Sequence, residues 1–252
     1  MKKILLLGLI GLMGSMAHGQ FSEYGVKAGL GAATISDDLA SKSPILAANL
    51  GGYINYTFQN SESLFAEVLY LQTGLNLVRR GGNFEEIFDR GTNISIRTGY
   101  YHSYYIQLPI LAGLHYELPI RQSGHIVGLY LGPTVSFGLF GGYGDRKITP
   151  GVASPSANYD INFNGSNADR QLFNHINRLD VGLTFGLTYE RQKFTLSFFI
   201  DRGFLATSDG DDILRIIQSM QSQGTNVDVK IPNGHNIAYM LSLSYQQGNL
   251  LN

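Results

Sequence analysis

Apolar and polar residues alternate along most of this chain. The cleanest run is 178–190, where Leu179, Val181, Leu183, Phe185, Leu187 and Tyr189 hold the odd positions. Arg178, Asp180, Gly182, Thr184, Gly186, Thr188 and Glu190 hold the even ones. A helix would scatter these side chains around its surface, whereas a strand sorts them onto two faces. Seven further segments repeat the pattern: 23–32, 47–58, 63–75, 100–116, 125–141, 194–205 and 235–247. In 63–75, Leu64, Ala66, Val68 and Tyr70 fall on the apolar face and Glu67 on the other. Helical periodicity is nearly absent, so the pattern predicts eight strands.

The connections alternate in length. Long ones (33–46, 76–99, 142–176, 206–234) take turns with short ones (59–62, 117–124, 191–193). Every long loop then sits at one end and both chain ends at the other, which is the connectivity of an up-and-down barrel in an outer membrane. In the last loop, Asp209–Asp212 offers helix-capping groups ahead of Ile213, Ile216, Ile217 and Met220 at helical spacing. It predicts a turn or two of amphipathic helix. The acidic run lacks the spaced ligands of a calcium loop, so it reads as a cap with solvated charge.

The polar face decides which side is solvated by what. A soluble exterior would be rich in Lys and Glu. Here that face is mostly Gly, Thr, Ser and Asn, side chains small enough to fill the interior of an eight-stranded barrel. The apolar face therefore points outward, toward lipid. Its ends carry aromatic rings: Tyr24, Tyr56, Phe58, Tyr116, Tyr189 and Tyr245 at the end of the short turns, Tyr100, Tyr104, Phe137 and Phe204, with Leu139, at the other. Amphipathic rings at strand ends suit a lipid–water interface. The expectation is an all-β fold, an eight-stranded antiparallel up-and-down transmembrane β-barrel. The alternative is a soluble periplasmic lipocalin-like barrel, apolar face inward, binding an apolar ligand.

Composition narrows the class. Of 252 residues, 44% are hydrophobic and only 15% charged, the net charge is -1, and there is no Cys or Trp. A disordered chain and a nucleic-acid binder are both disfavoured, since no basic cluster exceeds Arg79-Arg80. Lys2-Lys3, the apolar run from Ile4 to Met16 and the small residues around Ala17-His18-Gly19 form an export signal. The expected organisation is a signal peptide at 1–19 and one barrel domain at 20–252. Without Cys there are no disulfides, so stability rests on burial, backbone pairing and lipid.

Several strand motifs resemble the PorT-like outer-membrane β-barrel family of the Bacteroidota. They are Gly25-Val26-Lys27-Ala28-Gly29-Leu30, Leu64-Phe65-Ala66-Glu67-Val68-Leu69-Tyr70, Tyr105-Ile106-Gln107-Leu108-Pro109, Gly128-Leu129-Tyr130-Leu131-Gly132-Pro133 and Leu179-Asp180-Val181-Gly182-Leu183. They run in order across most of the chain. The resemblance implies an integral outer-membrane protein of eight strands, with some members linked to protein secretion and gliding. Gln107 stands where the family commonly has an acidic residue, and the chain continues past Tyr245 where outer-membrane strands commonly end on an aromatic residue.

Chemistry is sparse. His102, His115, His125, His175 and His235 form no zinc-binding spacing. Thr134-Val135-Ser136-Phe137-Gly138 resembles a nucleophile elbow only in part and lies within a strand. A triad of His102, Ser103 and Glu117 would be split between the two ends of one strand. No catalytic residue, metal or cofactor is therefore expected. Charged residues on the inward face must pair, because an unpaired buried ion costs several kcal/mol. Lys27, Asn55, Glu67, His115 and Glu190 are expected to gather inside near the periplasmic end, and Arg178, Asp180 and Asp201 near the outer end, as structural clusters. The expected partners are outer-membrane lipid and, through the loops 142–176 and 206–234, secretion-machinery or cell-surface proteins, with the barrel a monomer.

Overall fold

The computed structural model describes residues 20–36, 43–57, 68–89, 94–119, 124–148, 156–163, 175–176, 178–205 and 234–248. Among them lie β1 (Gln20–Ser36), β2 (Ile45–Thr57), β3 (Leu69–Asp89), β4 (Ile94–Glu117), β5 (His125–Ile148), β6 (Ala157–Asp160), β7 (Asn162–Phe163), β8 (His175–Ile176), β9 (Leu179–Arg191), β10 (Phe194–Gly203) and β11 (His235–Gly248). Eight of these, β1–β5 and β9–β11, pair antiparallel in sequence order, and β11 closes on β1. Closure leaves no strand edge to face hydrocarbon, where unpaired backbone groups would cost several kcal/mol each. β6 adds to the outer end of β5 at Gly142–Asp145. β7 and β8 form a small parallel pair.

The ring is staggered. From Ala32, successive partners are Tyr239, Ile200, Phe185, Leu131, Ala112, Leu71 and Tyr56, and the row returns to β1 at Phe21, eleven positions before it left. A bulge between Phe21 and Glu23 is included in that offset. Strand tilt is the source of such a stagger. On this path each step also descends toward the chain-terminal end.

Exposure follows the alternation. Along β9 the odd residues from Leu179 to Leu187 are exposed and the even ones from Asp180 to Gly186 are buried. Leu243 and Phe185 likewise face out, each about half exposed. Ser, Thr, Asn, Tyr and Gly dominate the interior, with a few apolar side chains such as Leu111, Phe199 and Met240 among them, while the long Leu and Phe rows face out, so the apolar-in arrangement of a lipocalin is overturned. Tyr116, Tyr189 and Tyr245 are exposed at the lower rim, with Phe194 packed against Tyr245 at 5.2 Å. Tyr24 and Tyr56 are partly exposed there, and Phe58 lies outside the described residues. Tyr100, Phe137, Leu139 and Phe204 are exposed at the upper rim, where Phe140 stacks on Tyr104 at 4.7 Å. From Tyr189 up to Leu179 the tilted strand spans roughly 25 Å, the height of the apolar band of an outer-membrane barrel.

Two expectations need correction. Residues 76–99 are mostly strand, not loop: β3 has 21 residues and β4 has 24, paired up to Asp89 and Ile94. β5 also runs 24 residues, to Ile148. A bilayer crossing needs about 10, so these three strands continue well past the upper rim. Above lipid the outward side chains need not be apolar, and the alternation fades while backbone pairing continues. The second correction is Tyr70, which points into the lumen at 8% exposure. Val68 is helical and breaks the alternation just before β3, so parity upstream does not carry into the strand. The expected leader at 1–19 and the helical turn at 209–220 lie outside the described residues.

Three lumen tyrosines share one packing device. Tyr53 stands opposite Gly25, Tyr70 opposite Gly113 and Tyr130 opposite Gly186. Each ring lies over its glycine, so a Cβ there would meet ring atoms at 2.8, 2.2 and 2.4 Å respectively. Glycine on one strand makes the space that the neighbouring tyrosine fills, which is how a narrow barrel accommodates large side chains.

Candidate functional site

The lumen holds two unlike regions. In the outer half, Arg80 from β3 is buried at 3% exposure between two carboxylates. Its Nη1 donates to Asp180 Oδ2 at 3.2 Å and its Nη2 donates to Asp201 Oδ2. Gln107 Nε2 donates to the same Asp201 oxygen at 2.8 Å, and Thr184 Oγ1 donates to Asp201 Oδ1 at 3.1 Å. The guanidinium also lies 5.7 Å from the centre of the Tyr105 ring, a cation–π distance. Tyr101 donates its hydroxyl to Asn236 Oδ1 at 2.7 Å beside it. Four strands thus meet on one guanidinium across the barrel axis. A planar fork with five donors suits this bridging role, which a lysine ammonium would fill poorly.

In the half nearer the chain termini the lumen is hollow. A cavity of about 420 Å³ is lined by Glu23, Lys27, Tyr53, Asn55, Gln72, His115, Glu190 and neighbouring Ser and Thr. One wall is hydrogen-bonded: Gln72 Nε2 donates to Asn55 Oδ1 at 2.8 Å, and Asn55 Nδ2 donates to Glu23 Oε2 at 3.3 Å. His115 stacks on Tyr70 at 5.8 Å.

These positions can be compared with the expected clusters. Lys27, Asn55, His115 and Glu190 do share the lower cavity, but no ion pair joins them among the described residues. Glu67 lies outside the described residues. Asp180 and Asp201 do meet in the outer half, but Arg178 is not with them. Its guanidinium sits 5.3 Å from the centre of the outward Phe137 ring, because Arg178 lies in a bend before β9 begins and is not yet bound by its alternation. The cation is Arg80, and Gln107 and Thr184 complete the set. Arg80 was legible in principle. Leu75 and Leu77 outward with Asn76 and Val78 inward carry the alternation past residue 75 and put Arg80 inside. Gln107, noted as a departure from an acidic norm, is the neutral donor to Asp201.

Other residues with chemical potential are dispersed. His102 lies on the outer wall beside Tyr100 and Tyr104, Ser103 is fully buried on the inner face of β4, and Glu117 ends that strand at the opposite rim. Ser136 is buried mid-strand in β5. His125 Nδ1 shares a 2.7 Å hydrogen bond with the Tyr189 hydroxyl at the lower rim.

Comparison with known proteins gives one family match. Residues 16–208 match the model of a family described as "Outer membrane protein beta-barrel domain". No curated protein matches the sequence. Among solved structures, the chain is similar to Ail, the attachment invasion locus protein of Yersinia pestis. The identity is 10%, the TM-score 0.35, and the alignment covers 90% of this chain and 99% of Ail. It is also similar to Neisserial surface protein A, at 9% identity and a TM-score of 0.33, covering 88% of this chain and 96% of that one.

Proposed function

We propose a function on one premise: the chain belongs to the outer membrane protein beta-barrel domain family and resides in the outer membrane. It is a closed, non-enzymatic membrane anchor that works as a monomer, and its specific task is performed outside the cell. The outer extension of β3, β4 and β5, with the segments 149–176 and 206–234 that follow it in the chain, is the surface that meets protein partners. The observation that carries this reading is the Arg80–Asp180–Asp201 cluster, whose buried, mutually bonded side chains span the barrel axis in the outer half, as suits an eight-stranded barrel whose interior is filled by side chains. The length of β3–β5 supports it further, since strand beyond the lipid band does nothing for membrane anchoring.

Two measurements test it. In planar bilayers the protein is expected to pass no steady current; sustained conductance would make it a pore. Deleting residues 84–99 should leave a barrel with heat-modifiable gel migration while removing the neighbours that cross-link to the surface of intact cells. Identical adducts with and without the hairpin would refute the surface role. The narrower assignment, a PorT-like barrel of the Bacteroidota serving secretion machinery, is supported by the strand motifs from Gly25 to Leu183. It predicts that loss of the protein reduces the amount of exported cargo in the medium, and unchanged export would remove it.

A further inference from the structure

We propose that the lower cavity is a binding site for a short zwitterionic peptide, with the peptide carboxylate at Lys27 and its ammonium between Glu23 and Glu190. The inference goes beyond the surface role and does not depend on it.

The argument begins with where the charges stand. Lys27, Ser244, Thr195 and Glu190 form one row of strand partners. The stagger of the ring lowers that row by about four residues over three of its eight steps, which brings Glu190 level with Glu23, four residues before Lys27 on β1. The two carboxylates therefore face each other near the mouth, and Lys27 lies deeper. Four residues of tilted strand separate the two levels by roughly 10 Å along the axis. The mouth is at the end bearing the chain termini and the short turns, the periplasmic side of an outer-membrane barrel.

Nothing among the described residues neutralises these groups by contact. Neither Lys27 nor Glu190 has a counter-ion within salt-bridge distance there. Phe199 and Met240 are buried on the inner wall, and Arg80 holds Asp180 and Asp201 in the outer half. Glu23, in contrast, is held in place by the chain from Gln72 through Asn55. An ordered carboxylate, a second carboxylate opposite, and an ammonium at the inner end make a cavity with separated charge. A simple anion would be repelled at the mouth and a simple cation by Lys27. A molecule carrying both charges roughly 10 Å apart satisfies both ends, and an extended peptide of about three residues has that span. The hydroxyls of Tyr53 and Ser244 beside Lys27 supply partners for its backbone, and about 420 Å³ is room enough.

The experiment is titration calorimetry on the full-length protein in detergent micelles. The probes are trialanine, N-acetyl-trialanine and trialanine amide. Trialanine is expected to bind saturably, and either cap to weaken binding about tenfold or more, since each removes a charge-assisted contact. Against Glu190→Gln, acetylation should lose most of its effect; against Lys27→Met, amidation should. Heat-modifiable migration shows that each variant is folded, and if neither folds the capped peptides decide the matter on the unaltered protein. Absence of saturable heat with trialanine at millimolar concentration overturns the proposal. So does equal binding of all three peptides, or sensitivity to one cap alone.

Discussion

Replacing Arg80 with methionine tests whether the outer cluster holds the barrel shut. The substitution keeps an unbranched apolar stem, two atoms shorter, and removes the charge and its donors. Asp180 would lose its cation, and Asp201 would keep Gln107 and Thr184 alone. Breaking a buried ion pair by removing one partner costs about 3–5 kcal/mol. Here one guanidinium serves two buried carboxylates, so the loss should fall at the upper end, about 4–5 kcal/mol. A folded domain typically has about 5–15 kcal/mol in total, so the variant should sit near the edge of folding. The companion is Arg80→Met combined with Asp180→Asn and Asp201→Asn. Neutralising the whole cluster removes the uncompensated charge, and stability should return to within about 2 kcal/mol of the original. Denaturant unfolding in lipid vesicles reads both, followed by heat-modifiable migration and by tyrosine emission, the chain having 15 Tyr and no Trp. If Arg80→Met costs less than about 1 kcal/mol, or if the triple variant is as unstable as its parts summed, the cluster is not a coupled closure and the reasoning fails.

Other expectations follow from the same structure. Gly186→Ala places a Cβ about 2.4 Å from the Tyr130 ring and should cost about 1–3 kcal/mol; in a Tyr130→Ala background the penalty should nearly vanish, and a constant penalty would disprove the pairing. Phe185→Arg, near the middle of the outward run of β9, should destabilise the barrel in vesicles by about 2–4 kcal/mol. Arginine in place of Tyr189 at the rim should cost about 1 kcal/mol or less, so equal costs would mean the lipid band is misplaced. Gln192, at φ 56 in the turn between β9 and β10, is in the left-handed region that glycine enters freely. Gln192→Gly should therefore be neutral or stabilising by up to about 1 kcal/mol in the same unfolding assay.

The parts of the fold that were legible in the sequence are those that lipid dictates. Between the two aromatic rims outward residues are apolar and inward ones mostly small or polar, so Leu179–Tyr189 announces itself. Beyond the upper rim that rule lapses. Asn76–Asp89 and Ile94–Tyr100 pair as faithfully as any strand, yet the apolar–polar alternation of their sequence fades after Leu77. Arg80 was lost with them, since a charge in an apparent loop invites no search for a partner. Tyr70 was misplaced for another reason: tyrosine is amphipathic and fits a membrane rim as well as a crowded lumen. Nothing local announces Gly113 as its seat, because the two meet only through the β3–β4 register. The lower cavity was half legible. The inward charges were evident from alternation, but their separation into two levels depends on the stagger of the closed ring, which no single strand encodes.

The tyrosine–glycine pairs also bear on how the chain avoids joining out of step. Sliding β4 by two positions against β3 would preserve inside and outside, so hydrophobicity alone would not object. It would, however, bring Tyr70 against Leu111 or His115, where no vacant seat exists. The β1–β2, β3–β4 and β5–β9 seams each carry one such notch. Neighbouring strands can thus be proofread pair by pair, before the cylinder closes and while a mistake is still reversible.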